Sequence, residues 1–533
     1  MSVSEAKEAE PSAARRFAAL TVLCLAEMLV LLDNTVVNVA LPSISTALHG
    51  SFSGLQWIVD AYVLTFAGFL LAFGHLGDRF GRRKLMTIGL SGIAVVSLAG
   101  AFASSMEQVI AVRAVMGVFA AAVFPATLAL ITTIFAEPRL RALAIALWTA
   151  MAGFAIAVGP TAGGWLLEHF SWHSVFWINV PIAIALVVAA FALVPESAIP
   201  HAGPLDIPGL VLSLTGVTAL VWAIIEAPNN GWLSTVTMAG YAVALLCLSA
   251  FVLRELTATS PVLNLRLFGI RRFSLPALSI TVGYFGMFGF LFLITQYFQG
   301  VREYSPLEFG IRSLPFAVAI GLAAPVALLL AQRFGTTMII VLGLLVLASG
   351  MYVAGQTTID SPYAGVVLTS MVLMGLGLGL VQGPATEAIM SAVPDAEAGA
   401  GAGVNDTTRE VGGALGVAVL GSIVASSYKA KIWPVVDAIP DSLADEAQKE
   451  FMRQTAMSII GLRERQDGSP FAPQIEELIR SMKIAVLEGF HTATYVTVVA
   501  VLACAAIVAV FLPRERVQTE SALLGWHKSD AEG

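Results

Sequence analysis

Charged residues are scarce in this chain of 533 residues. Asp, Glu, Lys and Arg together form only 12% of it, about half of their share in an ordinary soluble domain. Hydrophobic residues form 57%, not counting the 47 glycines, and an aqueous core of this size could not bury them all. This composition excludes a soluble enzyme. The net charge of −7 says little about partners, because charge is largely confined to the loops, and no run of the sequence resembles the basic surface of a nucleic-acid-binding protein. The composition predicts a polytopic membrane protein instead.

Cysteine and nucleotide-binding motifs are also rare or absent. Cys24, Cys247 and Cys504 each lie in an apolar run and share no metal-ligand spacing, so we expect free buried thiols and no metal site. The sequence contains no Gly-Lys dipeptide and therefore no P-loop, so ATP-driven work would need a separate subunit. The seven histidines are scattered, and no nucleophile has a placed base. We therefore expect neither a catalytic site nor a bound cofactor.

Long apolar runs, by contrast, recur from one end of the chain to the other. A helix needs about 20 apolar residues to cross a bilayer core of roughly 30 Å. The runs are continuously apolar instead of alternating, which favours helices over the strands of a membrane barrel. Fourteen spans are predicted, at residues 17–39, 57–76, 85–103, 108–134, 142–166, 174–194, 207–226, 233–253, 273–298, 310–331, 336–355, 363–386, 404–425 and 489–512.

The distribution of Lys and Arg predicts the orientation of these spans. An even number places both termini on one side, and with the N-terminus in the cytoplasm the inner segments carry 17 of the 29 Lys and Arg. The short outer loops carry only Arg302, so the positive-inside rule predicts cytoplasmic termini. A polar stretch at 427–487 then lies outside. Its amphipathic patterning over 442–465 and 474–487 predicts a helical external cap.

The loop between the second and third predicted spans has the sequence GHLGDRFGRRK, from residue 74 to residue 84. Its glycines permit a tight turn, and an acid among four cations can bond helix ends or a neighbouring helix. A positive-inside anchor alone would explain the cations but not the whole spacing. The run resembles the complete loop signature of the major facilitator superfamily. That resemblance implies a latch that helps hold the inward-closed state, formed by Gly74, Asp78, Arg79, Gly81, Arg82 and Arg83.

Three further runs are similar to signatures of the fourteen-helix drug:proton antiporters, one branch of that superfamily. They are LDNTVVNVALP at 32–42, WINVP at 177–181, and a glycine-rich run in the fifth span. The last resembles the antiporter motif, which is associated with export. There glycine permits close helix approach and proline kinks the span. Its residues are Gly153, Gly159, Pro160, Gly163 and Gly164.

Two shorter runs extend the resemblance. In the fourth span, Arg113 and Gly117 resemble the family's proton-transfer motif, although Met116 stands where Gln is usual. The run AQRFG at 331–335 is a degraded form of the loop signature at the corresponding place in the second half. Such an internal repeat is what the two halves of a facilitator transporter should contain.

Charged residues inside the predicted spans are functional candidates, because each costs at least a few kcal/mol at the bilayer centre. Five of them lie near the predicted span ends, where snorkelling or mutual pairing is the favoured interpretation. These five stand last in the list that follows. The nine are Glu27, Asp33, Asp60, Arg113, Glu226, Arg312, Asp406, Arg409 and Glu410.

Four of these charges remain as candidates for proton coupling. Asp33, Asp60 and Arg113 are predicted to match in depth to within about two helical turns. A carboxylate there could alternate between a proton, the Arg and a cationic substrate. Glu27 lies near the predicted midplane, which suits a proton carrier or a counter-charge to a lipophilic cation. The alternative is a protonated side chain that is hydrogen-bonded inside the bundle. Asn34 shares the helix face of Glu27, whereas Asp33 is rotated from it by about 140°.

A polar and aromatic stripe marks the ninth span. Tyr284, Phe288, Phe292 and Gln296 recur at steps of four residues. Aromatic faces can hold flat hydrophobic cations by cation–π attraction and stacking, although such a stripe can equally pack against helices or lipid. With Glu27, Asn34 and Asp60, this stripe forms the predicted substrate-binding set.

The resemblance implies an all-α major facilitator fold with 14 transmembrane helices, arranged as two six-helix bundles and an inserted helix pair. It implies a proton-coupled antiporter that exports amphipathic, cationic drugs across a bacterial inner membrane by alternating access. The proton gradient would supply the energy without a cofactor. Expected partners are small-molecule substrates, protons and membrane lipid, with no nucleic acid and no ATPase subunit.

The expected divisions of the chain follow the predicted spans. They are a cytoplasmic tail (1–16), an N-terminal six-helix bundle (17–194), a linker with two extra helices (195–265), a C-terminal bundle (266–512) that includes the external loop at 427–487, and a cytoplasmic C-terminal tail (513–533). Two other functions stay open. One is a same-fold exporter of a natural product, lipid or sugar, and the other is a membrane sensor or enzyme without transport.

Overall fold

The computed structural model describes residues 12–198, 205–258, 261, 263–393, 398–439, 444–455, 457–459, 462–463 and 472–513. Helices joined by turns make up these residues. The α-helices are α1 (Ala13–Leu48), α2 (Phe52–Phe80), α3 (Arg82–Gly100), α4 (Met106–Ile134), α5 (Pro138–His169), α6 (Ser174–Trp177), α7 (Asn179–Leu193), α8 (Ile207–Asn230), α9 (Thr235–Thr257), α10 (Arg271–Gln296), α11 (Pro306–Phe334), α12 (Thr336–Ala354), α13 (Leu368–Ser391), α14 (Ala398–Asp437), α15 (Glu446–Gln454) and α16 (Ala472–Phe511). A 3₁₀-helix at Leu265–Gly269 and π-helical turns at Tyr297–Val301 and Tyr363–Val367 lie between them.

The number of membrane spans predicted from the sequence is confirmed. Within the described residues, 14 helical segments are long and apolar enough to cross a membrane. The α6 and α7 helices together form one of these segments, Ser174–Leu193, in which Pro181 lacks the N–H that would continue the helical bonding. The chain is therefore a multi-pass membrane protein.

Several helices are longer than the predicted spans. For example, α1 has 36 residues, and α14 continues to Asp437. The last span begins at Ala472, so the amphipathic stretch at 474–487 extends that helix instead of forming a separate part of a cap. Hydropathy falls where polar residues begin, but backbone hydrogen bonding continues through amphipathic turns, which is why the predicted boundaries were too short.

The polar segment between α14 and α16 contains α15, and the described residues 458–459 and 462–463 are also helical. An Asp445 capping box begins α15, and the extended backbone of Thr455 (φ −157°, ψ 144°) ends it. The helical patterning over 442–465 is therefore interrupted at Thr455. Residues 440–443, 456, 460–461 and 464–471, like the terminal stretches 1–11 and 514–533, lie outside the described residues.

Two glycines with positive φ support the internal repeat. Gly81 (φ 110°) separates α2 from α3, and Gly335 (φ 90°) separates α11 from α12. Each follows a Phe and lies at the turn of a loop signature or its degraded counterpart. Residues with a Cβ atom rarely adopt this conformation, so the two halves use the same device at corresponding junctions.

The first of two compact units comprises residues 1–262, 294–314 and 432–480. It includes the extra helices α8 and α9, which are joined by an ion pair between Arg254 and Asp206 at 3.2 Å. On α2, the Trp57 side chain donates to Glu226 of α8 at 3.3 Å. The inserted pair thus packs against the first helices of the chain.

The second unit comprises residues 263–293, 315–431 and 481–533. Its α12 and α13 helices pack along their length, with Gly343 and Gly377 facing each other. The α16 helix bonds to the end of α12, because Tyr495 donates to the carbonyl oxygen of Gly355 at 3.0 Å. The division of the chain into bundles at the predicted boundaries stays a prediction.

Candidate functional site

A buried ion pair joins α1 to α4. The Nη1 atom of Arg113 lies 2.5 Å from Oδ2 of Asp33, and both side chains are buried. Arg113 also donates to the carbonyl oxygen of Ile58 at 3.1 Å and to Oδ1 of Asn34 at 3.3 Å. Its guanidinium lies over the Tyr62 ring, 4.1 Å from the centroid. These contacts offset the high cost of removing two charges from water.

Close packing of α4 against α2 places the guanidinium over that ring. At Gly117, one turn after Arg113, a Cβ atom would overlap the backbone oxygen of Tyr62 and the hydroxyl of Thr65. The Thr65 hydroxyl also donates to the carbonyl oxygen of Ala114 at 2.8 Å. The glycine of the proton-transfer motif therefore lets the two helices touch where the Arg enters the network.

The sequence prediction missed Asn179, which completes the network. Its Nδ2 atom donates to Oδ1 of Asp33 at 2.7 Å and to Ser97 at 3.4 Å, and its side chain is fully buried. Both oxygens of Asp33 thus accept a hydrogen bond, Oδ2 from Arg113 and Oδ1 from Asn179. The available signal was the Asn inside the apolar run 177–181, which resembled a signature but received no role.

Met116 belongs to the same network but does not bond Arg113. The Ser97 hydroxyl donates to its sulfur at 3.9 Å. Arg113 finds its partners on α1 and α2 instead. Replacement of the usual Gln therefore leaves the Arg with acceptors in this protein.

Asp60 and Glu27 are buried but lie apart from the ion pair. Within the described part of the chain, neither carboxylate oxygen of Asp60 has a hydrogen-bond partner, and the residue has no exposed surface. Glu27 is also fully buried. Asp60 was predicted to lie at a similar membrane depth to Arg113, but the two side chains form no ion pair among the described residues. A carboxyl group in such surroundings requires a proton or a cation.

The stripe on α10 is only partly accessible. The rings of Tyr284 and Phe288 stack with centroids 6.1 Å apart, and Phe288 is half-buried. Phe292 has no exposed surface, and Gln296 has almost none. Gln296 belongs to the first compact unit, whereas the three aromatic residues belong to the second.

Charged side chains of α14 face the start of this stripe. Arg409 lies 5.5 Å from the Tyr284 ring centroid and pairs with Asp406 at 3.8 Å. It also donates to Thr386 of α13 at 3.1 Å. Snorkelling and mutual pairing were the two interpretations of these charges. Asp406 and Arg409 pair with each other.

The loop signature forms a compact hydrogen-bonded turn. Arg82 donates to Asp78 at 2.8 Å and to Thr133 of α4 at 2.8 Å. Glu196, from the segment after α7, accepts hydrogen bonds from the backbone N–H groups of Arg83 at 3.0 Å and Lys84 at 3.1 Å. Glu196 therefore caps α3, whose own N-cap residue has no side chain. Sequence reasoning missed this residue because it lies more than 110 positions away.

Two other members of the loop signature make fewer contacts. Arg79 is exposed and lies 5.2 Å from the ring centroid of Phe80. A Cβ atom at Gly74 would meet Pro125 of α4 at 3.8 Å, an ordinary van der Waals distance. The packing of α2 against α4 therefore does not require glycine at position 74.

The antiporter motif on α5 packs against two helices. Cβ atoms at Gly159 and Gly163 would meet Thr35 and Val36 of α1, next to the ion pair. A Cβ atom at Gly164 would overlap the carbonyl oxygen of Pro306, at the start of α11. Pro160 is likewise in contact there, because its carbonyl oxygen lies against Gly310. At Gly153, by contrast, a Cβ atom would meet no atom of the described residues within 4 Å, so the close helix approach that glycine permits is not used at this position.

Comparison with known proteins identifies the family. Residues 23–417 match the Major Facilitator Superfamily. The chain belongs to this superfamily. It is 36% identical over 500 residues to the multidrug efflux pump LfrA of Mycolicibacterium smegmatis, covering 94% of this chain and 97% of LfrA.

Other relatives are named as export and resistance proteins. The chain is 35% identical to the tetracenomycin C resistance and export protein of Streptomyces glaucescens, covering 81% and 79% of the two proteins. It is 32% identical to the methyl viologen resistance protein SmvA of Salmonella typhimurium, covering 78% and 84%. The fold matches a bacterial homologue of the human lysosomal transporter Spinster, with a TM-score of 0.64 at 17% identity over 94% and 97% of the chains. These facilitators are transporters and not enzymes.

Proposed function

We propose that this facilitator is a proton-coupled antiporter that exports amphipathic, cationic drugs across a bacterial cytoplasmic membrane by alternating access. Relatives that cover most of its length are a multidrug efflux pump and a methyl viologen resistance protein. Methyl viologen is a flat aromatic dication, which is the substrate chemistry that buried carboxylates and aromatic faces suit.

The observation that carries the proton coupling is the position of Asp33. Its carboxylate is buried between a guanidinium at 2.5 Å and an amide at 2.7 Å. A proton on Asp33 would remove the charge that holds Arg113, and loss of the proton would restore the pair. Because Asp33 and Arg113 belong to α1 and α4, each change of protonation alters the attraction between two helices, which is the kind of event that can bias two conformations.

Substrate binding is assigned to the remaining polar and aromatic candidates. Glu27 and Asp60 supply buried negative charge, and Asn34 supplies an acceptor next to the ion pair. In the second unit, Tyr284 and Phe288 offer stacked rings. Phe292 and Gln296 would have to become accessible in another conformation, because both are buried here.

Orientation and energy source complete the proposal. Both termini lie in the cytoplasm, the polar segment at 427–487 lies outside, and the proton gradient drives export. The capped turn at Asp78, Arg82 and Glu196 then lies on the cytoplasmic side, where it acts as the latch of the inward-closed state.

A same-fold exporter of a natural product is the second candidate. The relative named for tetracenomycin C resistance and export favours it, because this name refers to one compound. Such a transporter would keep the loop signature and the antiporter motif. It would not transport quaternary ammonium dyes.

Efflux of a fluorescent cation tests the proposal. Ethidium is added outside inverted vesicles from a pump-deficient bacterium that produces the protein. Its uptake into the vesicles is measured while a pH gradient, acid inside, is imposed. We expect transport by the wild type, loss of transport in Asp33→Asn, and loss when nigericin collapses the gradient. Glu226→Gln is the matched control, since this acid also lies on a spanning helix but bonds Trp57 away from the ion pair. Unchanged transport in Asp33→Asn would overturn the coupling role.

A further inference from the structure

The amide of Asn179 is held on one side only. Its Nδ2 atom donates to Asp33 at 2.7 Å and to Ser97 at 3.4 Å. Within the described residues, its Oδ1 atom has no hydrogen-bond partner, although the side chain is fully buried. No hydrogen bond on the far side therefore fixes which way the amide faces.

Asp33 alone then decides the orientation of this amide. A charged carboxylate only accepts hydrogen bonds, so it requires the NH₂ edge of the Asn side chain. A carboxyl group protonated on Oδ1 becomes a donor and requires the oxygen edge instead. A half-turn of the amide about its own axis exchanges the two edges in place.

The surrounding groups accept either orientation. Ser97 now receives a hydrogen bond from Nδ2, and its own hydroxyl donates to the weak acceptor Met116 at 3.9 Å. After rotation, that hydroxyl can donate to the Asn179 oxygen, because a hydroxyl is both donor and acceptor. Arg113, for its part, keeps its bonds to Ile58 and Asn34 and its contact with Tyr62 when Asp33 becomes neutral.

Few charges compete for Asp33. Among the described residues, the charged group that contacts it is Arg113 of α4. The α2 helix contributes Tyr62, which lies against Arg113, and Asp60, which makes no hydrogen bond. The α3 and α7 helices contribute Ser97 and Asn179, and α5 meets α1 through Gly159 and Gly163, which carry no charge. On α1 itself, Glu27 lies six residues earlier.

We propose that Asn179 is a positioning residue whose side-chain orientation follows the protonation state of Asp33. Its amide donates a hydrogen bond to the charged carboxylate and rotates to accept one from the protonated acid. This inference rests on the proposed function, in which Asp33 takes up and releases the coupling proton. Asn179 thereby sets the pH range in which Asp33 exchanges its proton. It also transmits the change to Ser97 of α3, which lies outside the Asp33–Arg113 pair.

Infrared difference spectroscopy of the protein in lipid nanodiscs tests the inference without transport. The carbonyl stretch of protonated Asp33 is assigned as the band that Asp33→Asn loses. In the wild type we expect the lowered frequency of an acid that donates to an amide oxygen. In Asn179→Leu, which removes both edges, we expect a higher frequency and a titration midpoint that rises by about one pH unit, because the charge-assisted bond to the carboxylate is lost.

Two results would overturn the inference. One is a wild-type band at the frequency of a carboxylic acid that donates no hydrogen bond. This measurement needs no variant at position 179. The other is an unchanged midpoint in Asn179→Leu. In vesicles, the pH profile of ethidium transport should move in the same direction, whereas a purely structural Asn179 would lower transport equally at every pH.

Matched variants separate this inference from the proposed function. Asn229→Ala removes an amide that bonds Glu226 and Ser53, and we expect an unchanged midpoint. Transport that survives Asp33→Asn would refute the coupling role of Asp33 whatever Asn179 does. Loss of transport in Asp33→Asn with an unshifted Asn179→Leu would refute the amide switch alone.

Discussion

The guanidinium of Arg113 lies 2.5 Å from the carboxylate of Asp33, although 80 residues separate them in the chain. Arg113 donates two further hydrogen bonds, to Ile58 and Asn34. A Lys at this position would keep the charge but could not serve three acceptors in a fixed planar arrangement. The pair therefore depends on the shape of the cation as well as on its charge.

Arg113→Lys is accordingly expected to slow proton-driven ethidium transport by at least about tenfold, which corresponds to about 1.4 kcal/mol. The measurement is the initial rate in inverted vesicles, normalised to the amount of protein in the membrane. Arg312→Lys serves as the control, because Arg312 pairs with Glu308 on its own helix. Equal rates in Arg113→Lys and wild type would show that charge alone suffices.

Glu27→Gln is expected to change substrate charge preference. Removal of a buried negative charge should weaken transport of divalent methyl viologen much more than transport of monovalent ethidium, because a dication needs a second counter-charge. Resistance to the two compounds in a pump-deficient bacterium provides the measurement. If both resistances fall by the same factor, or neither falls, Glu27 has no role in charge selection.

Two alanine substitutions in the antiporter motif should differ sharply. Gly164→Ala places a methyl group against the backbone of Pro306, whereas no atom of the described residues lies within 4 Å of the methyl group in Gly153→Ala. Overpacking of this kind costs about 1–3 kcal/mol, and a substitution without a neighbour is usually within about 0.5 kcal/mol of neutral. We expect a lower thermal midpoint in detergent and slower efflux for Gly164→Ala only, and similar behaviour of the two variants would contradict this packing.

Glu196→Ala should weaken the loop between α2 and α3. The carboxylate accepts from two backbone N–H groups at the start of α3, and loss of a cap costs about 0.5–2 kcal/mol. Faster hydrogen exchange at Arg83 and Lys84 is the expected result. Glu137→Ala is the control, since Glu137 stands at the N-cap of α5 without a side-chain cap bond. Unaltered exchange in Glu196→Ala would remove the capping role.

The polar segment should lose its structure in acid and keep it in alkali. Hydrogen bonds from Arg453 to Glu446, Asp437 and Glu450 raise the pKa of its guanidinium further above the ordinary range. A raised pKa contributes stability at every pH below it, so ordinary alkaline conditions leave these ion pairs intact. Below about pH 4, where Asp and Glu side chains in general take up protons, the pairs should break.

Hydrogen exchange of residues 446–454 as a function of pH checks this expectation. Arg453→Met should remove the acid-dependent step, and Arg480→Met, which changes an exposed Arg on α16, should retain it. Exchange is compared after correction for the pH dependence of unprotected amides, and equal protection at about pH 3 and at pH 7 in the wild type would contradict the role of these ion pairs.

Much of the architecture could be predicted from local sequence. The number of spans follows from apolar runs, because in lipid each span must satisfy its own backbone hydrogen bonds as a helix. Gly81 and Gly335 were recognisable from the loop signature and its degraded counterpart, and glycine adopts the positive φ of these two turns without the strain that a Cβ atom would add. The helix ends were less predictable, since α16 continues through amphipathic turns in which hydropathy falls.

The sequence by itself therefore determined the class of the protein, its helices and the few charges that lie in the membrane. Only the tertiary structure decided which of those charges meet. Asp33 pairs with Arg113 and bonds Asn179, which lies 146 residues away, whereas Asp60 makes no hydrogen bond among the described residues. Hydropathy and helical period are properties of neighbouring residues. The rotation and packing of helices, by contrast, depend on small residues such as Gly117 that permit close contact between distant segments.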